Sequence, residues 1–259
     1  MADPASRALL VAQDGVYVNG ESRPALVPLP SGREPVLLGL DRDGAVFAVD
    51  AEGLDPPGDG QLMGLREVGA LFSPEDAGLL AYGTAMVNWH RAHPRCARCG
   101  ALTNIEEAGF LRRCPNCGAE HHPRTDPVVI MLVYDGDRAL LGRQPIWPAG
   151  RYSALAGFVE PGESLEEAVA REVLEETSVR VEDVLYRSSQ PWPFPASLMI
   201  GFHARWAGGE IDASGGELDD ARWFSRAELE ATVRGETDFH VPPPLAIARQ
   251  LIDEWLLAR

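Results

Sequence analysis

Three observations predict an α+β protein. Short apolar runs broken by Gly, Pro and Asp fill the first third, four cysteines are confined to positions 96–117, and a strand-turn-strand-helix-strand order runs on from Asp126. At roughly 100–200 residues per domain, 259 residues suit two domains and a smaller third. The expected division is a β-rich N-terminal domain over 1–90, a cysteine-rich segment over 91–125 and an α/β domain over 126–259. With 45% hydrophobic and 24% charged residues, disorder and fibrous structure are excluded. The net charge of −16 excludes grip on nucleic acid by broad phosphate neutralisation, so any phosphate chemistry must be local. No run approaches the roughly 18 apolar residues of a membrane span, and no secretory leader is recognisable. The expectation is a cytoplasmic protein without a membrane partner.

In the N-terminal part, Gly15 to Val18, Pro35 to Leu40 and Ala45 to Val49 read as strands, with a turn at Asp43-Gly44 and a loop over Gly53 to Gly60. Leu65 to Leu71 and Pro74 to Arg91 read as helices, the second with Ser73 as N-cap and Pro74 at the first helical position. No catalytic pattern occurs there, and a supporting role is expected. From Asp126, strands are expected over Pro127 to Tyr134 and Arg138 to Gly142, joined by the turn Asp135-Gly136-Asp137. A strand over Tyr152 to Val159 and a helix over Leu165 to Glu176 follow. Further strands are expected near Val179 to Ser188, Leu198 to Trp206 and Ala221 to Phe224. A short helix after Ser225 and another over Leu245 to Leu257 close the chain.

Cys96-Ala97-Arg98-Cys99-Gly100 and Cys114-Pro115-Asn116-Cys117-Gly118 are two matching knuckles. Each turn lets two thiolates reach one ion, and four thiolates fill the tetrahedral shell that zinc prefers. Such a closed site is structural, and stabilises a segment too short to bury a core of its own. His90 and His93 lie just upstream and are not expected to be ligands. Arg91, Arg95, Arg98, Arg112, Arg113 and Arg124 make the segment locally basic, either as a solvated face or as a patch for phosphate or RNA.

Glu172, Glu175 and Glu176 stand at i, i+3 and i+4, which puts three carboxylates on one helix face. Their repulsion is reasonable if a hard divalent cation, Mg²⁺ or Mn²⁺, sits among them. Ala168, Val169, Val173 and Leu174 supply the apolar positions to bury.

This segment resembles the Nudix box, Gly-x5-Glu-x7-Arg-Glu-U-x-Glu-Glu-x-Gly-U with U apolar, at Gly157, Glu163, Arg171, Glu172, Val173, Glu175, Glu176 and Val179. Ser178 stands where the box has Gly, at the helix end where a left-handed cap is needed. The resemblance implies a Nudix α/β/α sandwich, preceded here by a zinc ribbon and a small β-rich domain, that hydrolyses a nucleoside diphosphate linked to another group. It also implies that Glu172 and Glu176 bind the catalytic metal with the carbonyl of Ala156, that Glu175 assists, and that Arg171 and Glu163 form an orienting ion pair.

Downstream, Ser189-Gln190-Pro191-Trp192-Pro193-Phe194-Pro195-Ala196-Ser197 interleaves prolines with aromatics, and is expected to be a rigid loop presenting rings rather than a central strand. The three parts in this order, with that motif, are similar to NADH pyrophosphatases of the NudC type. The similarity implies cleavage of NAD(H) to NMN(H) and AMP, removal of NAD caps from RNA 5′ ends, and a homodimer. It implies a substrate site lined by Gln190, Pro191, Trp192, Pro193, Phe194, Pro195, Ala196 and Ser197, with Phe158, His122 and Ala248, and Glu217 as a further metal ligand. Gly109 stands where some relatives contribute a Glu. Two alternatives remain: a Nudix hydrolase acting on another derivative such as ADP-ribose, and a zinc-ribbon RNA-binding or regulatory protein with an inactive Nudix domain.

Overall fold

The computed structural model describes residues 5–20, 23–58 and 60–258. The chain divides into two compact units, one running through Thr125 and including Pro193–Ala196, the other comprising Asp126–Trp192 and Ser197 onward.

In the first unit, β1 (Arg7–Val11), β2 (Val16–Asn19), β3 (Arg23–Pro24), β4 (Leu26–Pro28), β5 (Val36–Asp41), β6 (Gly44–Asp50) and β7 (Gln61–Met63) form one sheet. Its order is β3-β2-β1-β6-β5, with β4 on β1 and β7 on β2, and β1 runs parallel to β6. Helix α1 (Leu65–Leu71) precedes α2 (Pro74–Ala92), and Leu80 and Val87 of α2 pack on Leu9, Val11 and Ala48. Ser73 caps α2 as expected: its hydroxyl accepts from the Asp76 N–H, and Pro74 occupies the first turn, where no amide donor is needed. The ribbon follows as β8 (Asn104–Glu106), β9 (Leu111–Arg113) and β10 (Glu120–His121), three antiparallel strands in the order β10-β9-β8. Gly109 lies against β5, where a Cβ would fall 2.9 Å from the Val36 Cα, and its φ of +102° favours glycine.

The second unit is a six-stranded mixed sheet of β11 (Asp126–Asp135), β12 (Arg138–Arg143), β13 (Leu155–Phe158), β14 (Arg180–Trp192), β15 (Ser197–Gly208) and β16 (Asp220–Ser225). The order is β14-β15-β11-β12-β16 with β13 on β11, and β11 runs parallel to β15. Alternation along β11 divides the core. Val129, Met131 and Val133 face Ala168, Val169 and Val173 of α3 (Leu165–Thr177), whereas Ile130 and Leu132 face Leu229 of α4 (Arg226–Val233) and Leu251 and Ile252 of α5 (Ile247–Leu257). This is the expected sandwich, a sheet between helices on both faces.

Two expectations are corrected. The strand expected over Tyr152 to Val159 is only Leu155–Phe158, preceded by isolated bridges at Ser153 and Arg151. The motif expected to be a loop from Ser189 is instead strand as far as Trp192, with Pro191 opposite Leu198 and Trp192 opposite Ser197. Proline is tolerated because β14 is the edge of the sheet, where one side of the backbone has no strand to serve. Only Pro193–Ala196 make the connection.

Candidate active site and zinc centre

Helix α3 is fixed at both ends by its own sequence. Ser164 and Glu167 form a reciprocal capping box at the N-terminus. At the other end Ser178 takes the left-handed cap (φ 59°, ψ 10°), and its N–H donates to the Leu174 carbonyl 2.8 Å away.

Between these caps Arg171 organises the acids. Its guanidinium donates to both Glu163 oxygens, at 2.5 and 2.9 Å, and to Glu172 at 2.8 Å, Glu175 at 2.9 Å and the Phe158 carbonyl at 2.9 Å. The Arg171 contact, helped by the Glu160 N–H, holds the Glu163 carboxyl down to about 2. Glu172 is 9% exposed and lies directly over Gly157, where a Cβ would stand 1.7 Å from its carboxyl carbon. Glycine at 157 is therefore a steric requirement of the Glu172 position.

Glu176, 7% exposed, is the most perturbed acid. Burial first, then the charges of Glu172 and Glu217, push it up to about 8, against a hydrogen bond from the Ala156 N–H. Burial also raises Glu172, opposed by Arg171 and helped by Glu175 and Glu217. The second Glu176 oxygen is buried and has no hydrogen-bond partner among the described residues. A buried acceptor among other carboxylates, beside the backbone of β13, is the donor set a hard cation fits. Glu217 is exposed and joins these acids electrostatically, while Glu175, 55% exposed at its side chain, faces solvent.

The other implied site residues are distributed less uniformly. Phe158, 58% exposed, presents its ring to solvent beside the box. Gln190 spends both ends of its amide on the start of α5: Nε2 donates to the Leu245 carbonyl and Oε1 accepts from the Ile247 N–H, each at 2.9 Å. Ala248 is 4% exposed inside the core on that face of the sheet. His122 is exposed, with Nε2 3.9 Å from Glu120. Pro191 and Pro195 are exposed, whereas Trp192, Pro193, Phe194, Ala196 and Ser197 are half-buried. Phe194 lies under the Arg66 guanidinium, 4.8 Å from the ring centre.

The sulfur atoms of Cys96, Cys99, Cys114 and Cys117 all lie within 4.8 Å of one another, a donor set that fits one zinc ion. Cys99 is drawn down to about 6, first by the Asn116 side-chain amide and then by the Ala101 backbone. The neighbouring histidines turn elsewhere: His93 meets the Trp89 carbonyl, and His90 lies between Gly109 and Arg112. A uniform solvated basic face is not what forms. Arg91 pairs with Asp50, Arg113 bridges Glu106 and Glu120, and Arg112 is buried.

Three contacts lay outside sequence reasoning: Glu172 over Gly157, the Ala156 amide on Glu176, and the Gln190 clamp on α5. Each joins residues from separate elements. The box glycine is the signal that carries the first, because glycine often marks a close approach.

Three family descriptions match in order: an NADH pyrophosphatase-like rudimentary NUDIX domain over residues 5–89, an NADH pyrophosphatase zinc ribbon domain over 91–121 and a NUDIX domain over 124–242. A NAD-capped RNA hydrolase NudC of Stutzerimonas stutzeri is 43% identical over 226 residues, which cover 87% of this chain and 75% of the relative. A NudC of Mycobacterium bovis is 40% identical over 260 residues, covering 95% and 82%. The NAD-capped RNA hydrolase NUDT12 of Macaca fascicularis is 46% identical over 194 residues, 70% of this chain. The chain spans only 42% of that longer protein. The order of the three domains and the extent of the NudC matches show that this chain belongs to the NudC-type NADH pyrophosphatases of the Nudix family.

Proposed function

We propose that this chain hydrolyses the diphosphate of NAD(H) to NMN(H) and AMP, and that it removes NAD caps from RNA 5′ ends. The observation that carries the reading is the buried, unpartnered oxygen of Glu176 among Glu172 and Glu217. These three carboxylates and the Ala156 carbonyl would hold Mg²⁺ or Mn²⁺. Such a cation supplies positive charge against the diphosphate and makes water more acidic.

The chain's own groups divide the remaining work. Arg171 fixes Glu163, Glu172 and Glu175 in one array, so the acids are oriented before substrate arrives. Glu175, the exposed member, accepts a proton as water attacks phosphorus in line; the bridging P–O bond breaks and the partner phosphate leaves. The exposed Phe158 ring offers a face for nicotinamide or adenine, and by the family resemblance Gln190 to Ser197, His122 and Ala248 are the further residues assigned to the substrate. A cytoplasmic homodimer completes the reading, since a reducing compartment keeps four thiols available to zinc.

Product chromatography tests it. With NADH, ADP-ribose and a short NAD-capped RNA, the expected result is metal-dependent formation of NMNH and AMP, and of NMN with 5′-monophosphate RNA. Cleavage of ADP-ribose alone, or of none of the three by folded, zinc-loaded protein, sinks the proposal.

A further inference from the structure

In the first unit a cleft of about 470 Å³ lies between β5, β6 and the end of α2 on one side and the ribbon strands on the other. Arg33, Glu34, Asp50, His90, Arg91 and Arg112 supply its charged and titratable lining. Arg112, on β9, is only 6% exposed. Its guanidinium donates to the Thr103 hydroxyl at 2.8 Å, the Thr103 carbonyl at 3.3 Å and His90 Nδ1 at 2.9 Å.

None of these partners is negative. An arginine always donates, so His90 Nδ1 accepts, and the proton of that ring sits on Nε2, where it meets the Gly109 carbonyl at 2.9 Å. His90 is therefore neutral, in keeping with the burial that lowers it to about 4. Arg91 gives no such problem, because Asp50 takes it in a two-point ion pair at 2.6 and 2.9 Å. Arg112 has only the through-space influence of the exposed Glu34, and among the described residues no carboxylate reaches it within ion-pair distance.

Buried cations are ordinarily paired, because desolvation of an isolated charge costs several kcal/mol. A guanidinium also has five donors, and the three contacts above leave two uncommitted. The geometry points to a phosphate-binding site in this cleft, with Arg112 as the central ligand, Arg33 as a second cation and Glu34 as the residue that weakens it. The ligand class is a phosphate dianion, either free phosphate or the monoester of a nucleotide, since planar guanidinium forks suit both. This inference does not depend on the proposed hydrolysis.

Isothermal titration of the zinc-loaded full chain, with no added divalent cation, tests it using inorganic phosphate, AMP and adenosine as probes. Phosphate and AMP are expected to bind and adenosine not to. Arg112→Met should weaken phosphate binding about tenfold, whereas Glu34→Gln should tighten it about twofold. Equal affinity for phosphate and AMP assigns the site to free phosphate, and tighter AMP that Arg112→Met weakens in parallel with phosphate assigns it to a nucleotide monoester; both support the site. AMP binding untouched by Arg112→Met belongs to the hydrolase site and counts against a nucleotide in this cleft. No heat from phosphate, or affinity unchanged by the variants, overturns it. If Arg112→Met does not fold, the tightening by the surface change at Glu34 still decides. NADH turnover of Glu34→Gln, measured alongside with Mg²⁺, is expected to be unchanged, so loss of this site and loss of the hydrolase reading give separate signatures.

Discussion

The four cysteines and the glutamates of α3, which we propose as ligands of two different metals, are built in opposite ways. The cysteine set is closed: two tight turns bring all four sulfurs within 4.8 Å of one another, and no further donor is needed. The carboxylate set is open. Arg171 restrains one side of it, while a buried Glu176 oxygen has no partner among the described residues and the exposed Glu217 acts on the set through its charge. A closed set converts metal affinity into folding energy, and an open one keeps coordination free for substrate and water. The cost of the open arrangement is visible as acids pushed up by burial and by each other.

The largest expected effect breaks the closed side. Cys114→Ser, or zinc withdrawal by a strong chelator, should unfold the ribbon, since structural zinc contributes on the order of 10 kcal/mol to small domains. Calorimetry with zinc analysis by mass spectrometry checks this, and retention of the native transition without zinc would contradict a structural site. On the open side the opposite holds. Glu176→Gln should reduce turnover more than about 100-fold, beyond the usual loss for a group that only supports a metal ligand. Its melting temperature should hold or rise, because a buried acid beside two others is replaced by a neutral amide. A variant that melts early would show that Glu176 serves the fold rather than the site.

Arg171→Lys is expected to lower kcat about 10- to 100-fold with the fold preserved. One ammonium cannot reproduce a two-point grip on Glu163 together with bonds to Glu172, Glu175 and the Phe158 carbonyl. Full activity in the lysine variant would mean that charge alone, rather than the fork geometry, orients the acids.

What was legible in the sequence follows the range of the interactions. The carboxylate face of α3 depends on helical spacing within one segment, and Ser73-Pro74 before α2 on a local cap, so both could be read directly. β3, β4 and β7 have only two or three residues, too few for an alternation to show. Pro191 misled because proline is excluded only from strands with neighbours on both sides, and which strand lies at an edge is a property of the whole sheet. The arginines of the ribbon looked like one basic face because composition does not reveal that Asp50, Glu106 and Glu120 take two of them and that β9 buries a third.

A smaller effect tests the packing that ties α2 to the ribbon. His90 is neutral in the fold at about 4 and ionises near 6.5 when unfolded, so the unfolded chain binds the extra proton between those values. Stability is thus complete above pH 6.5 and is lost as pH falls toward 4, by about 1–2 kcal/mol once its partial exposure is allowed for. In His90→Gln that segment of the stability profile should flatten. An unchanged profile would place the acid sensitivity elsewhere.

The smallest effect concerns the one box position where this chain departs from its family. Ser178 holds a left-handed conformation that glycine adopts freely and an L-residue adopts at a cost of roughly 1–2 kcal/mol. Glycine also loses more chain entropy on folding, by about 0.5–1 kcal/mol, so the gains partly cancel. Ser178→Gly should therefore raise stability by about 0.5–1 kcal/mol in denaturant titrations. Turnover should stay unchanged, because the Ser178 N–H closes the helix on Leu174 whichever residue supplies it. A change in kcat with stability held constant would show instead that the turn after α3 positions Glu176, and would make the helix end part of the open site.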